Sequence, residues 1–294
     1  MGQPVKPIAS LGCDMPLALL AATGRYAGPL AYDADRPTPW ADRWLESKFA
    51  PWAFQILEDW AAGTLDHLGQ VIFSRGDDSC QRLYYYVSEL RRTGKLAGPE
   101  PLVFDVAHIP RESSAAATVA AVRRLAATLE VGEMALAAAL AVPDPPVPET
   151  EGPICLLAGT LPPDRRLHDL VVTGGWTADG ETLPESWAAS ARAVVMEADD
   201  PFVRLGERLH AAAAGPRGFG DRVAGLLTRL ADTGAGAAIL WYCEHDEAEA
   251  WHVPAQRQAL QAESVPHLVL TRRDWRASDG VAGEIAAFLA GLPG

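Results

Sequence analysis

The chain has 294 residues, 49% of them hydrophobic and 21% charged, which is enough apolar material for one large or two ordinary folded domains. Its net charge of −13 repels nucleic acid, and no basic stripe offsets it, so a DNA- or RNA-binding role is excluded. Four cysteines, Cys13, Cys80, Cys155 and Cys243, are dispersed without a CxxC pair, which argues against a disulfide framework and for a cytoplasmic chain.

The opening residues show no charged segment followed by an apolar core, so no secretory signal is expected, and Lys6 stands where myristoylation needs Ser or Thr. An amphipathic helix follows over "MPLALLAATG", with Gly24 as its C-cap. The next helix is "PWAFQILEDWAAG", where Ala53, Ile56, Leu57 and Trp60 share one face. Strand "QVIFS" then breaks into Arg75-Gly76-Asp77-Asp78 and feeds the helix "SCQRLYYYVSELRRTG". A second strand, "PLVFDVAHI", leads to Ala-rich helices over 114–142. Arg123, Arg124 and Glu130 interrupt that stretch, so it packs as helices and does not span a membrane.

Residues 142–152, "VPDPPVPETEG", stop both helix and strand and mark a boundary. The expected domains are therefore 1–146 and 147–294. The second half alternates again: strand "ICLLAGT", helix "DRRLHDLVVTGG", strand "ARAVVMEA" and helix "DDPFVRLGERLHAAAA" with Asp199 or Asp200 as N-cap. Helix "DRVAGLLTRLADTG", strand "AAILWYC", helix "EAEAWHVPAQRQALQAE", strand "HLVLT" and helix "GVAGEIAAFLAG" complete it. Alternation of this kind predicts an α/β fold of two tandem Rossmann-like domains, with parallel sheets and a ligand cleft between the domains. No repeat in the sequence is sharp enough to mark the halves as duplicates.

Chemistry in such folds sits where strands end. The turn 74–80 offers Ser74, Arg75, Ser79 and Cys80 to bind a substrate, and Asp77, Asp78 and, from the second half, Cys243 as catalytic groups. The competing reading is a helix cap, in which Asp77, Asp78 or Ser79 accepts from the first turn's N–H groups. Cys243, His245 and His252 do not have zinc spacing, because His252 lies about two helical turns beyond the strand end. "GTLPPDRRLHD" lacks both G-x-G-x-x-G and a Walker lysine, so it reads as a strand-to-helix turn.

Several segments in order resemble the 2-hydroxyacyl-CoA dehydratase family, in the component D and benzoyl-CoA reductase subunit lineage. They are "GCDMPLALLAATGRYAGPL", "LESKFAPWAFQILEDWAAGTLDHLGQVIFSRGDDSCQRLYYYVSEL", "LVFDVAHIPRESSAAATVAAVRRLAATLE", "GAAILWYCEHDEAEAWHVPAQRQALQAESVPHLVLTRRD" and "GEIAAFLAGL". The resemblance implies two Rossmann-like domains, a [4Fe–4S] cluster on three cysteines, a sister subunit and an acyl-CoA thioester substrate. An ATP-driven activator would supply one electron for a ketyl-radical dehydration or reduction.

The departures are at the cluster. The family's first cysteine falls on Ala50, the second on Asp77, and only the third on a cysteine, Cys243; Glu284 stands where an arginine is expected. Cys80 is three residues too late, a displacement of roughly 4–5 Å along a helix. These departures imply a clusterless, non-redox subunit paired with a cluster-bearing sister. Two alternatives stay open: a stand-alone acid–base enzyme on Asp77, Asp78 and Cys243, with Arg75 holding an anion, or a dehydratase whose cluster takes Cys243, Cys80 and Asp77 as atypical ligands.

Overall fold

A computed structural model describes residues 5–143, 152–189, 198–212 and 220–292. The protein is α/β, with two four-stranded sheets whose paired strands are all parallel. Both sheets have the same Rossmann-like strand order, although the sequence carries no sharp repeat. The first runs β2 (Tyr26–Pro29), β1 (Ile8–Leu11), β3 (Gln70–Ser74), β4 (Glu100–Phe104). The second runs β6 (Thr177–Asp179), β5 (Ile154–Gly159), β7 (Ala237–Cys243), β8 (His267–Arg273).

In the first unit the sheet buries Ile8 and Ile72 against apolar side chains of several helices. Leu19 and Leu20 come from α1 (Leu17–Ala22), Val122 and Leu125 from α4 (Glu112–Thr128), Leu136 from α5 (Glu133–Leu140), and Leu205 and Leu209 from α8 (Pro201–Ala212). The other face takes α2 (Pro51–Ala61) and α3 (Asp78–Arg92), where Trp60 stacks on Phe73 with centroids 6.0 Å apart. The second unit packs Leu156, Leu240 and Tyr242 with Leu226 and Leu230 of α9 (Arg222–Thr233) and Leu260 of α11 (Val253–Ala262). Its remaining helices are α6 (Arg166–Thr173), α10 (Glu247–Ala250) and α12 (Val281–Ala290).

Three strands were not expected. β1, β2 and β6 have only three or four residues each, too few to show an alternating pattern. β4 stops at Phe104, opposite the last residue of β3, so the expected strand to 109 loses its partner there. The single helix expected from 247 to 263 is two. Pro254 lacks an N–H and is placed in the first turn of α11. Asp200 caps α8 through the Phe202 N–H at 2.8 Å, and Asp221 caps α9 through Val223 at 2.8 Å. The expected strand "ARAVVMEA" and most of the proline run lie outside the described residues.

The chain divides into two compact units that differ from a single cut at 146/147. Met1–Pro145 groups with Ser186–Phe219, and Pro146–Glu185 groups with Gly220–Gly294. Packing explains the return. On α7 (Leu183–Ala188), Trp187 meets Trp52 edge-on at 5.2 Å, and Gly206 of α8 lies so close to α4 that a Cβ would sit 2.6 Å from the Val119 Cγ2. Among the described residues, no helix is long and apolar enough to cross a membrane.

Candidate functional site

The order β2-β1-β3-β4 reverses direction between β1 and β3, and open parallel sheets bind ligands beyond the C-terminal ends of such a strand pair. In the first unit two turns meet there. β1 runs into Gly12, Cys13 and Asp14; β3 runs into Arg75, Gly76 and Asp77. Glycine is required on both sides. Gly12 has φ +99° and its Cβ would fall 2.8 Å from that of Ser74; a Cβ on Gly76 would fall 2.8 Å from the Asp14 Oδ2. Asp14 itself has φ +55°, a left-handed conformation that Asp tolerates better than most residues.

Of the expected residues of the 74–80 turn, Ser74, Arg75, Asp77, Ser79 and Cys80 each have a structural occupation. Ser74 is buried and its Oγ accepts from the Gly76 N–H at 2.9 Å. Arg75 pairs with Asp105 at 2.7 Å, with both side chains partly exposed. Asp77 is the N-cap of α3, and its Oδ1 accepts from the Cys80 N–H at 2.7 Å. Asp78 is exposed in the first turn. Ser79 is buried and accepts from the Ala50 N–H at 2.9 Å, tying the start of α2 to the start of α3. Cys80 is fully buried and donates to the Leu11 carbonyl, with Sγ and O 3.1 Å apart. Capping thus accounts for Asp77, and an anion would meet this helix end already filled by the chain's own carboxylates.

The cysteines are held as thiols. Burial pushes Cys13 well above the ordinary thiol range, and the Asp14 and Asp77 carboxylates add to it. Burial does the same to Cys80, followed by Asp77 and Cys13.

The second unit repeats the geometry at β5 and β7. Gly159 has φ +101°, and a Cβ there would lie 2.3 Å from the Trp241 carbonyl oxygen. The Thr160 Oγ1 donates to Asp246 at 2.8 Å and accepts from the Cys243 N–H at 3.1 Å. Cys243 is buried, and burial pushes its thiol up strongly, reinforced by Asp246, Asp274 and Asp279. Arg165 and Arg166 are taken by Glu185 and Asp164, both at 2.6 Å. Glu284 accepts from Arg273 at 2.6 Å.

Sequence reasoning missed Asp14 and His108. The His108 Nε2 lies 4.0 Å from the Asp14 Oδ2, with side-chain exposures of 10% and 8%. Neither ring nitrogen of His108 has a hydrogen-bond partner among the described residues. Cys13 donates to the same Asp14 oxygen at 3.8 Å. A signal existed, because Gly12-Cys13-Asp14 follows the short run Ile8-Ala9-Ser10-Leu11 as Arg75-Gly76-Asp77 follows "QVIFS", but four residues interrupted by a serine do not mark a strand.

The donors of the first unit do not fit a [4Fe–4S] cluster, which takes thiolates. Ala50 has no ligand atom, Asp77 is engaged as a cap, and the Cys80 thiol is turned to a backbone carbonyl. Among the described residues, no group of three or more His, Cys, Asp or Glu is placed to hold a metal ion. The fold and its strand-end turns define a protein of two α/β units with parallel sheets, each with polar side chains at the turns of its strand reversal. No protein-family model matches the chain, and no curated protein is similar to it.

Proposed function

We propose that the chain is a clusterless relative of the 2-hydroxyacyl-CoA dehydratases, acting as a non-redox subunit beside a cluster-bearing sister subunit in an acyl-CoA dehydratase or reductase complex. One observation carries this reading: the N-termini of α2 and α3 converge, joined by the Ala50 N–H to Ser79 Oγ bond at 2.9 Å. The family resemblance puts two cluster cysteines at Ala50 and Asp77, so their positions belong to helix starts tied to each other. Those positions carry a methyl group and a capping carboxylate, which supports a clusterless reading. The acyl-CoA thioester is the substrate of the whole complex in this reading.

The test is iron and acid-labile sulfide analysis with a visible spectrum on protein purified anaerobically, alone and in the complex drawn from its native host. The expected result is a colourless isolated chain, and a brown complex whose second subunit carries all three cluster cysteines. About four irons per isolated chain, lost in Cys243→Ser, would refute it. So would a native complex without any cluster-bearing subunit.

A further inference from the structure

Of the chain's nine tryptophans, Trp52, Trp60, Trp187, Trp241 and Trp275 are buried in the packed layers, but Trp40 and Trp44 stand half-buried side by side. Their ring centroids are 5.7 Å apart and their planes meet at 40°. With Arg43 and Lys95 they line a pocket of about 420 Å³ that opens to solvent, within the ~300–1,000 Å³ of small-molecule sites. The backbone under the rings is fixed. The N–H groups of Trp40 and Ala41 both donate to the Glu58 Oε2 of α2, at 2.9 and 2.8 Å, and Ala41 is fully buried. The Lys95 N–H donates to the Leu90 carbonyl at 2.9 Å, which sets the start of its side chain.

The charge around the rings selects the ligand. The Arg43 guanidinium carbon lies 6.0 Å from the centre of Trp40, and the Lys95 Nζ lies 4.9 Å from that of Trp44, both within reach of a cation–π contact. Among the described residues neither cation has an ion pair or a side-chain hydrogen bond, in a chain of net charge −13. The neighbouring acids are engaged by other groups. Asp42 accepts from Thr38 at 2.9 Å, and Glu58 accepts from the two backbone N–H groups. Glu89 accepts from Arg92 at 2.8 and 2.7 Å; that bond, with a smaller share from Lys95, keeps its carboxyl below the usual range. An ammonium ligand would be repelled by Arg43 and Lys95. A neutral ring would stack on the indoles and leave both cations unused, whereas an aromatic anion uses the ring faces and both charges.

We propose that Trp40, Trp44, Arg43 and Lys95 form a binding site for a small aromatic anion, a planar ring carrying a carboxylate or a phosphate, with the ring stacked on the indoles and the acid group drawn to Arg43 and Lys95. Lys95 sits between the end of α3 and the start of β4, so the site is at the N-terminal end of the strands, away from the turns at 12–14 and 74–80. The proposal does not rest on the family reading. Iron content and partner identity test that one; indole spectra test this one.

The experiment is 15N–1H correlation of the tryptophan indole N–H groups in the full chain, with the Trp40 and Trp44 signals assigned by their loss in Trp40→Phe and Trp44→Phe. Naphthoate, naphthyl phosphate, naphthalenemethanol and cyclohexanecarboxylate are titrated separately. The expected result is a saturable shift of both signals with naphthoate, naphthyl phosphate or both, and the responding probe identifies the acid group. Replacing the two exposed cations together, Arg43→Gln with Lys95→Gln, is expected to weaken that binding about fivefold while leaving the thermal midpoint near that of the parent. No shift with either anionic naphthyl probe would overturn the proposal. So would naphthalenemethanol or cyclohexanecarboxylate binding as tightly as those probes, or the double variant binding them as tightly as the parent.

Discussion

Asp77 separates a cap from a ligand most directly. Its carboxylate receives the N–H of Cys80, a fully buried residue in the first turn of the 15-residue helix α3. Asp77→Ala removes that acceptor. Loss of an N-cap costs about 0.5–2 kcal/mol. The orphaned N–H is buried, which pushes the loss toward the top of that range, because water cannot replace the carboxylate. The nearby negative charge contributes a further ~0.3–1 kcal/mol to the helix end, of which Asp78 retains part. The expected total is about 2 kcal/mol. Asp77→Ser keeps a capping oxygen and should lose less than about 1 kcal/mol. Urea unfolding followed by far-ultraviolet circular dichroism measures both. An Ala variant within about 0.5 kcal/mol of the parent, or a Ser variant as damaged as Ala, would show that capping is not what Asp77 does.

Two further outcomes follow from burial. Cys155 lies in the centre of the second sheet, and burial pushes its thiol up to about 12, from an ordinary 9.0. Above pH 9.0 the unfolded chain releases this proton while the native one keeps it, so stability is intact below that pH and falls as pH rises toward 12. Each such thiol contributes a slope of about −1.4 kcal/mol per pH unit. Urea midpoints from neutral to alkaline pH should show a shallower fall in Cys155→Ala; an unchanged slope refutes the assignment. Two glycines in helices should respond with opposite sign to replacement by alanine. Gly206→Ala drives a Cβ to 2.6 Å from the Val119 Cγ2, and overpacking of about 1–3 kcal/mol should exceed the ~1 kcal/mol gained in helix propensity. Gly225→Ala in α9 meets nothing within 4 Å and should stabilise by about 0.5–1 kcal/mol. Thermal midpoints that move in the same direction for both would refute this account of the α4–α8 contact.

The parts of the fold that were legible in the sequence are those with long, one-sided patterns. β7 is seven consecutive buried residues, and α9 has an Asp cap, apolar residues three to four apart and a terminal glycine. β3 matches its expected span of 70–74, and α3 begins one residue before the expected helix. In each, local chemistry and burial agree, so the pattern needs no tertiary context. The site was legible only by half. The turn after β3 stood out because a clear strand precedes it, and a capped helix was one of the two readings available for it.

What tertiary structure alone decided is everything that depends on neighbours distant in the chain. β1 is a central strand only because β2 and β3 pair with both its edges, and its four residues carry no periodicity of their own. Residues Ser186–Phe219 join the first unit because Trp187 and Gly206 find partners there, which no local propensity encodes. Asp14 and His108 meet because parallel strands bring their C-terminal ends to one edge. Sequence by itself determined which segments could be strands and helices, since backbone sterics and apolar periodicity act within a few residues. Which polar side chains are buried together was left to the sheet, because burial is a property of the assembled layers.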